Sequence, residues 1–163
     1  MDHSDYADSY IRDILRDTKT IAMVGASTNW ARPSFFAMKY LQAKGFRVIP
    51  VNPGAAGQDL LGEKVYATLK DIPVKIDMVD VFRASEHVGP IADEAIAIGA
   101  KVLWLQLGVV NEDAARKAEA AGIKVVMNRC PKIEFGRLSG ELSWGGINSG
   151  VITAKRPRVE RRV

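Results

Sequence analysis

The stretch Thr20 to Gln42, TIAMVGASTNWARPSFFAMKYLQ, decides how the rest of the chain is interpreted. An apolar run from Ile21 to Val24 stops at Gly25, and a hydroxyl-bearing loop leads to Pro33, after which apolar residues recur at helical spacing. This order predicts a strand, a turn and a helix. In a parallel sheet, such a turn presents backbone N–H groups and the positive end of the helix dipole. We therefore expect a phosphate-bearing ligand at this turn.

The same stretch lacks the signature of a nicotinamide dinucleotide site. The fingerprint G-x-G-x-x-G requires three glycines, but Ser27 and Trp30 occupy the second and third glycine positions after Gly25. A nicotinamide site also usually has an acidic residue at the end of the second strand, where it binds the ribose hydroxyls. Here the apolar run 46–51 ends in Asn52-Pro53. The residues favour a nucleotide other than NAD.

Length and composition predict one folded domain over residues 1–150. The 163 residues are 47% hydrophobic and 26% charged, as in ordinary globular proteins. No segment approaches the roughly 20 apolar residues of a membrane span, and the N-terminal residues are acidic, unlike a secretory signal. The single cysteine, Cys130, rules out an internal disulfide. These features predict a cytoplasmic protein with no membrane partner.

The basic character of the chain is confined to its end. The net charge is +4, and residues 155–163 alone carry five basic side chains and one acidic side chain. The preceding 154 residues contain 18 basic and 18 acidic side chains, so they are balanced. A short arginine-rich end is most often a solvated tail. We therefore treat residues 151–163 as a basic tail and expect no specific nucleic-acid binding.

Apolar runs alternate with helical patterns over residues 18–138, which predicts an α/β fold. The expected form is a Rossmann-like three-layer sandwich with a mostly parallel sheet of about five strands. An irregular connection follows the second strand, the pattern lapses after Cys130-Pro131, and a Gly/Ser-rich segment, 139–150, is expected to wrap the domain. The predicted strands are 20–24, 46–51, 77–82, 101–105 and 123–127. The predicted helices are 4–16, 33–44, 85–98 and 111–121, with Ser4, Ser85 and Asn111 as the expected caps of the first, third and fourth, and Pro90 leaves the start of the third open.

Ligands of open parallel sheets bind outside the carboxyl ends of the strands. The residues that follow the predicted strands are polar, and three arginines, Arg32, Arg83 and Arg129, come from three separate loops. A cationic edge of this kind suits a polyphosphate. The candidate binding residues are Gly25, Ala26, Ser27, Thr28, Arg32, Asn52, Pro53, Phe82, Arg83, Gln106, Asn128, Arg129 and Cys130.

Several of these residues also have a purely structural interpretation. Hydroxyl side chains such as Ser27 and Thr28 often accept hydrogen bonds from loop amides, although a phosphate contact is favoured by the strand before them and the helix after them. Asn52-Pro53 is as consistent with a simple turn as with a nucleoside contact. Arg83 and Arg129 also have an interpretation as ordinary surface residues, but their positions after strands favour a ligand role.

Signals for catalysis are weak. Neither histidine is paired by sequence with a nucleophile or a metal-ligand partner, and no Walker loop or nucleophile elbow is present. Cys130 follows the last strand beside Arg129, where a redox role is conceivable, but such a cysteine is more often a packing residue. Asp80 interrupts an apolar strand, and we expect it to accept hydrogen bonds from loop amides, because an unpartnered buried carboxylate is costly.

An ordered set of motifs over residues 18–138 resembles the stand-alone CoA-binding proteins, which are similar to the CoA-binding domain of the succinyl-CoA synthetase α subunit. The set is more specific than any one of its members. It comprises VGAST (24–28), VIPVNPG (48–54), LGEKVYATLKDIP (61–73), DMVDVFR (77–83), LWLQLGV (103–109) and MNRCP (127–131).

The resemblance implies a Rossmann-like domain that binds coenzyme A, with the pyrophosphate at the Gly25 to Thr28 turn. It also implies that Asn52, Pro53, Phe82, Arg83 and Gln106 line the path of the nucleotide and the pantetheine. The synthetase has a lysine after the Pro-Gly of the second-strand loop, where this chain has Ala55, so Arg32 or Arg83 would have to meet that phosphate. The phosphorylated histidine of the synthetase lies in a further domain that has no counterpart in this sequence.

The sequence favours non-catalytic binding of coenzyme A or an acyl-CoA. Two alternatives stay open: an NAD- or acyl-CoA-dependent enzyme or redox sensor, and an interaction protein whose Rossmann-like domain has lost its ligand. A homodimer also stays open, because the N-terminal helix and the Gly-rich segment could each serve a dimer or pack on their own domain.

Overall fold

The computed structural model of the chain describes residues 1–140. Within them the structure has seven strands and five α-helices, and these include the five strands and four helices that the sequence patterns predict. The strands are β1 (Thr20–Val24), β2 (Arg47–Val51), β3 (Asp59–Leu60), β4 (Glu63–Lys64), β5 (Met78–Val81), β6 (Val102–Leu105) and β7 (Lys124–Val126). The helices are α1 (Asp8–Asp17), α2 (Pro33–Ala43), α3 (Val88–Ala97), α4 (Glu112–Ala120) and α5 (Pro131–Leu138).

Five of the strands form one parallel sheet in the order β2-β1-β5-β6-β7. The chain runs outward from β1 to β2 and then returns to the other side of β1 with β5. The strand order therefore reverses between β1 and β5, which is the position where ligands bind in open α/β sheets. The predicted Rossmann-like α/β fold with a five-stranded parallel sheet is confirmed.

Helices cover both faces of the sheet, which explains why its strands are predominantly apolar. On one face, Ala22, Val79 and Leu103 pack with apolar residues of α3 and α4. On the other face, Met23 and Trp104 pack with residues of α1, α2 and α5. Every residue of β5 and β6 is buried. None of the helices within residues 1–140 has the length and apolar character needed to span a bilayer.

The connection from β2 to β5 is irregular, as the sequence predicts. It contains two 3₁₀ turns, Pro53–Ala55 and Leu69–Asp71, and the short antiparallel hairpin of β3 and β4, which the sequence analysis did not identify. A single parallel bridge between Val51 and Tyr66 brings the end of this connection back to the carboxyl end of β2.

Two predicted helix starts are wrong. The first helix begins at Asp8, with Ala7 at its N-cap, rather than at Ser4, whose hydroxyl bonds to Asp2 instead. The α-helix α3 begins at Val88, after a 3₁₀ turn over Ser85–His87. Ser85 does not cap it, because the Ser85 hydroxyl accepts a hydrogen bond from the Val110 N–H in the loop between β6 and α4. Asn111 does cap α4, as predicted, by accepting a hydrogen bond from the Ala114 N–H.

The chain also forms a helix, α5, where the sequence pattern lapses. Of the predicted Gly/Ser-rich segment 139–150, only residues 139 and 140 are described. The tail 151–163 lies wholly outside the described residues. Helix α5 carries Glu134, which is 3% exposed, and a buried carboxylate obscures the apolar pattern. Arg137 donates a hydrogen bond to Glu134 and another to Asp8 of α1, so this carboxylate is paired.

Two tyrosines from the N-terminal segment cover the open edge of the sheet at β7. The Tyr10 hydroxyl donates to the Val125 carbonyl at 3.0 Å and accepts from the Val125 N–H at 3.2 Å. The Tyr6 hydroxyl accepts from the Met127 N–H at 2.7 Å. Because backbone groups of an edge strand otherwise stay unpaired, these phenols complete the hydrogen bonding of β7. Burial raises the pKa of Tyr10 to about 12.

Replacing Tyr10 by phenylalanine should lower the free energy of unfolding by about 1 to 2 kcal/mol, because both backbone groups of Val125 lose their partner. The control is Tyr66→Phe, since the Tyr66 hydroxyl makes no hydrogen bond within the described residues; it should change stability by less than about 0.5 kcal/mol. Urea unfolding measures both variants. The loss should shrink as the pH rises from about 10 to 12, because the phenol ionises near pH 10 in the unfolded chain but keeps its proton up to about pH 12 in the folded one. Equal losses in the two variants would contradict the edge role.

Candidate functional site

A cleft of about 840 Å³ opens at the carboxyl ends of β1, β2 and β5, where the strand order reverses. Its volume lies in the range of small-molecule sites. The lining contains seven of the residues predicted from the sequence, namely Gly25, Ser27, Arg32, Asn52, Pro53, Phe82 and Arg83. It also contains Val24, Asn29, Val51, Gly54, Ala67, Thr68, Ala84, His87, Ile91 and Glu94.

The loop between β1 and α2 forms one wall of the cleft and is held by short hydrogen bonds. The Ser27 N–H donates to the Ser34 hydroxyl at 3.0 Å, which ties the loop to the first turn of α2. The Ser27 hydroxyl in turn accepts from the Asn29 N–H at 3.0 Å. Ser27 therefore orders the loop, as in its structural interpretation, and also lies in the lining. Its hydroxyl hydrogen remains available for a ligand oxygen.

Gly25 brings two loops into contact at the base of the cleft. Its φ of +88° lies in the left-handed region, which side chains rarely adopt. A Cβ atom at this position would be 2.9 Å from the Phe82 carbonyl oxygen and 3.0 Å from the Arg83 Cδ. Glycine is thus required both by the backbone conformation and by the close approach of the loop after β5.

Asn52 connects a second pair of loops. Its side-chain NH₂ donates to the Ala26 carbonyl at 2.8 Å, and its side-chain oxygen accepts from the Gly54 N–H at 2.9 Å. The first bond joins the loop after β2 to the loop after β1, and the second closes the 3₁₀ turn. Asn52-Pro53 is therefore a turn that also forms part of the cleft wall.

The cleft is cationic and faces two helix N-termini. Arg32 is the N-cap residue of α2, and His87 is the N-cap residue of α3; neither helix has a side-chain cap bond. The lining also contains Arg83 and one carboxylate residue, Glu94. The dipoles of the two helices add positive potential at this point. An anion is the ligand that such a surface stabilises best.

The other predicted binding residues are placed outside this lining. Ala26 is buried beneath the loop, and Thr28 is exposed. Gln106 and Asn128 follow β6 and β7, farther along the sheet, and the Asn128 side chain accepts from the Gly108 N–H. Arg129 lies over the Tyr6 ring, 5.1 Å from its centroid. Cys130 is buried at the N-cap of α5.

The cleft residues that sequence reasoning missed fall into two groups. In the first group, Val24 and Val51 end their strands, Asn29 and Gly54 neighbour predicted residues, and Ala67 and Thr68 reach the cleft through the bridge between Val51 and Tyr66. The second group, Ala84, His87, Ile91 and Glu94, belongs to the segment that leads from β5 into α3. A helix that follows a strand at the reversal point always begins at the ligand edge, so this second group could have been found from the sequence.

The expectation for Asp80 is wrong. Its carboxyl group is fully buried in β5, and neither oxygen has a hydrogen-bond partner within the described residues. No loop amide reaches it, because Asp80 lies in the middle of the sheet between Met23 of β1 and Trp104 of β6. Burial raises the pKa of the Asp80 carboxyl well above its usual value.

Comparison with known proteins places the chain in a family. A family model described as a CoA binding domain matches residues 19–136. The chain belongs to this CoA binding domain family. The matched region begins just before β1 and ends within α5, so the CoA binding domain includes the whole five-stranded sheet and the cleft.

Individual relatives agree with this membership. The uncharacterized protein YneT of Bacillus subtilis (strain 168) is 40% identical over 123 residues, which are 76% of this chain and 90% of that protein. A hypothetical protein from Pyrococcus horikoshii OT3 has a solved structure with a TM-score of 0.80 and 40% identity, covering 86% of this chain and 100% of that one.

A third relative is a much larger enzyme. The ADP-forming acetate–CoA ligase II of Archaeoglobus fulgidus is 29% identical over 117 residues. These residues are 71% of this chain but 17% of the ligase. The CoA binding domain described here therefore corresponds to a small part of that ligase.

Replacing Gly25 by alanine tests the contact at the base of the cleft. We expect a loss of about 2 to 4 kcal/mol in the free energy of unfolding, because the Cβ atom adds a clash with the Phe82 carbonyl to the strained φ. The matched control is Gly122→Ala, whose φ of +87° is nearly the same but whose Cβ would meet nothing within 4 Å. That variant should lose only about 1 kcal/mol. Similar losses in the two variants, measured by urea unfolding, would show that the clash has no energetic weight.

Proposed function

We propose that the cleft binds coenzyme A or an acyl-CoA and that the chain catalyses no reaction of its own. The observation that supports this most directly is the juxtaposition of Arg32, Arg83 and two helix N-termini without side-chain caps around one cleft. Coenzyme A carries a pyrophosphate and a 3′-phosphate, so it offers two separate anionic groups. Membership of the CoA binding domain family supports CoA as the source of these anions.

The proposed arrangement assigns the pyrophosphate to the loop from Gly25 to Thr28 at the start of α2. Arg32 is the nearest basic residue in sequence to this loop and lies in the same wall. Ala55 stands where the resemblance to the synthetase places a lysine, and it is buried, 6% exposed, so it makes no charged contact. The arginines of the cleft supply the positive charge instead, and Arg83 is assigned to the 3′-phosphate.

The assignment of a binding role without catalysis rests on how the polar groups of the lining are used. The Ser27 hydroxyl accepts from a loop amide, and the Thr68 hydroxyl donates to Asp71. Within residues 1–140, neither hydroxyl is hydrogen-bonded to His87 or Glu94. An activated nucleophile requires such a pairing with a base, so the described cleft favours binding over group transfer.

The remaining sequence-based assignments accompany this proposal as predictions. We place the protein in the cytoplasm, where coenzyme A is used and a single reduced cysteine is stable. A homodimer stays a prediction, as do roles for Gln106, Asn128, Arg129 and Cys130 in ligand binding. These four residues would contact the ligand only if it extended from the cleft past β6 toward β7.

Calorimetric titration with CoA, dephospho-CoA and NAD tests the proposal. We expect CoA to bind, dephospho-CoA to bind more weakly because it lacks the 3′-phosphate, and NAD to show no heat of binding. Arg83→Ala should weaken CoA about 10- to 100-fold, the effect of removing one charge-assisted hydrogen bond. The matched control is Arg116→Ala, which removes an exposed arginine on α4 outside the lining and should leave the affinity unchanged.

Other outcomes would change the proposal. Equal affinity for CoA and dephospho-CoA would show that the cleft does not recognise the 3′-phosphate. Turnover of an acyl-CoA or a nicotinamide substrate would replace the proposal by an enzyme. Silence for all three ligands would favour an interaction protein, and retention of partner binding in Arg83→Ala and Ser27→Ala variants would then confirm that the cleft is not used.

A further inference from the structure

Three buried oxygen atoms near the carboxyl edge of the sheet have no hydrogen-bond partner within the described residues. Two are the carboxyl oxygens of Asp80, and the third is the side-chain oxygen of Gln106. Buried polar atoms without partners are rare in folded proteins and each costs free energy. The occurrence of three such acceptors in one region requires an explanation.

The two side chains lie on the same face of neighbouring strands. Asp80 of β5 is in register with Trp104 of β6, and Gln106 follows Trp104 by two residues, so it shares the Trp104 face. The Gln106 N–H continues the ladder by donating to the Val81 carbonyl at 3.2 Å. Asp80 and Gln106 are therefore diagonal neighbours, a separation that a long side chain can bridge.

Within residues 1–140, Asp80 forms no ion pair with a cation. The ionisable groups on the elements that pack against it are engaged elsewhere: Tyr6 and Tyr10 bond to β7, and Glu134 is paired with Arg137. Cys130 is a buried thiol, and Tyr40 is a partly buried residue of α2. Desolvation is the one cause that shifts the Asp80 pKa, and it favours the protonated acid.

We infer that Asp80 keeps its proton in the folded protein and donates it to the side-chain oxygen of Gln106, which joins β5 and β6 beneath the cleft. A single O–H···O bond gives partners to two of the three orphaned oxygens and removes the buried charge. Phe82 and Arg83, which line the cleft, follow Asp80 by two and three residues. Asp80 and Gln106 are thus positioning residues for that wall, whichever ligand the cleft binds.

Carbon-13 NMR of the Asp80 carboxyl carbon tests the protonation directly. We expect the chemical shift of a protonated acid at pH 7, whereas aspartate in an unfolded peptide titrates near pH 3.9. The unfolding equilibrium supplies a second measurement. Because the folded state holds a proton that the unfolded state loses above about pH 4, the unfolding constant of the wild type should rise relative to that of Asp80→Asn by up to tenfold per pH unit.

A double-mutant cycle tests the partner. Asp80→Asn retains a donor for Gln106 and should fold well, whereas Asp80→Val and Gln106→Met each remove one side of the bond. The unfolding equilibrium constant of the double variant should be about five- to tenfold smaller than the value obtained by multiplying the effects of the two single substitutions. Additive effects would overturn the pairing, and a carboxyl carbon that is ionised at pH 7 would overturn the inference as a whole. Both results are independent of whether the cleft binds CoA.

Discussion

The close approach of the Gly25 backbone to the Phe82 carbonyl is the constraint on which the cleft depends. The loops after β1 and β5 meet only because no Cβ atom stands between them. The bond from Asn52 to the Ala26 carbonyl then fixes the loop after β2 to the same point. Three loops from three parallel strands are thereby held at one place, and the cleft is the space that they leave between α2 and α3.

The charges around this space run against the usual rules for helix ends. N-cap positions favour serine, threonine, aspartate or asparagine, and α4 follows that rule with Asn111. Helices α2 and α3 instead have Arg32 and His87 at their N-cap positions, next to the positive end of each helix dipole. Departures from local preference of this kind are expected at functional sites. A bound polyanion would interact favourably with both helix dipoles and with the arginines of the cleft.

The sheet could be predicted from the sequence because its five strands are largely buried on both faces and are therefore predominantly apolar. Helix α5 could not, because its buried Glu134 is acceptable only through Arg137, and Arg137 also depends on Asp8 from α1. That cluster is a tertiary feature. Asp80 was misjudged for the same reason, since a sequence does not show how far a buried carboxyl lies from the nearest loop amide.

The sequence predicted that the residues after the strands lie at one edge of the sheet, but it did not predict which strands are neighbours. Residues after β1, β2 and β5 line the cleft, and these three strands are neighbours in the sheet. Gln106 and Asn128 follow β6 and β7, and each step across the sheet adds nearly 5 Å. The sequence indicates that all five strand ends share one edge, but it does not give their positions along it.

The tyrosine contacts at β7 also bear on the order in which the chain can fold. Tyr10 and Val125 are 115 residues apart, and Tyr6 and Met127 are 121 residues apart. Contacts of such high sequence separation carry a large loop-closure entropy and tend to form late. During synthesis the N-terminal segment must wait until β7 has left the ribosome before it can dock. A nascent chain therefore exposes both the apolar face of its first helix and an unpaired strand edge, and this interval is when the chain is most vulnerable to aggregation.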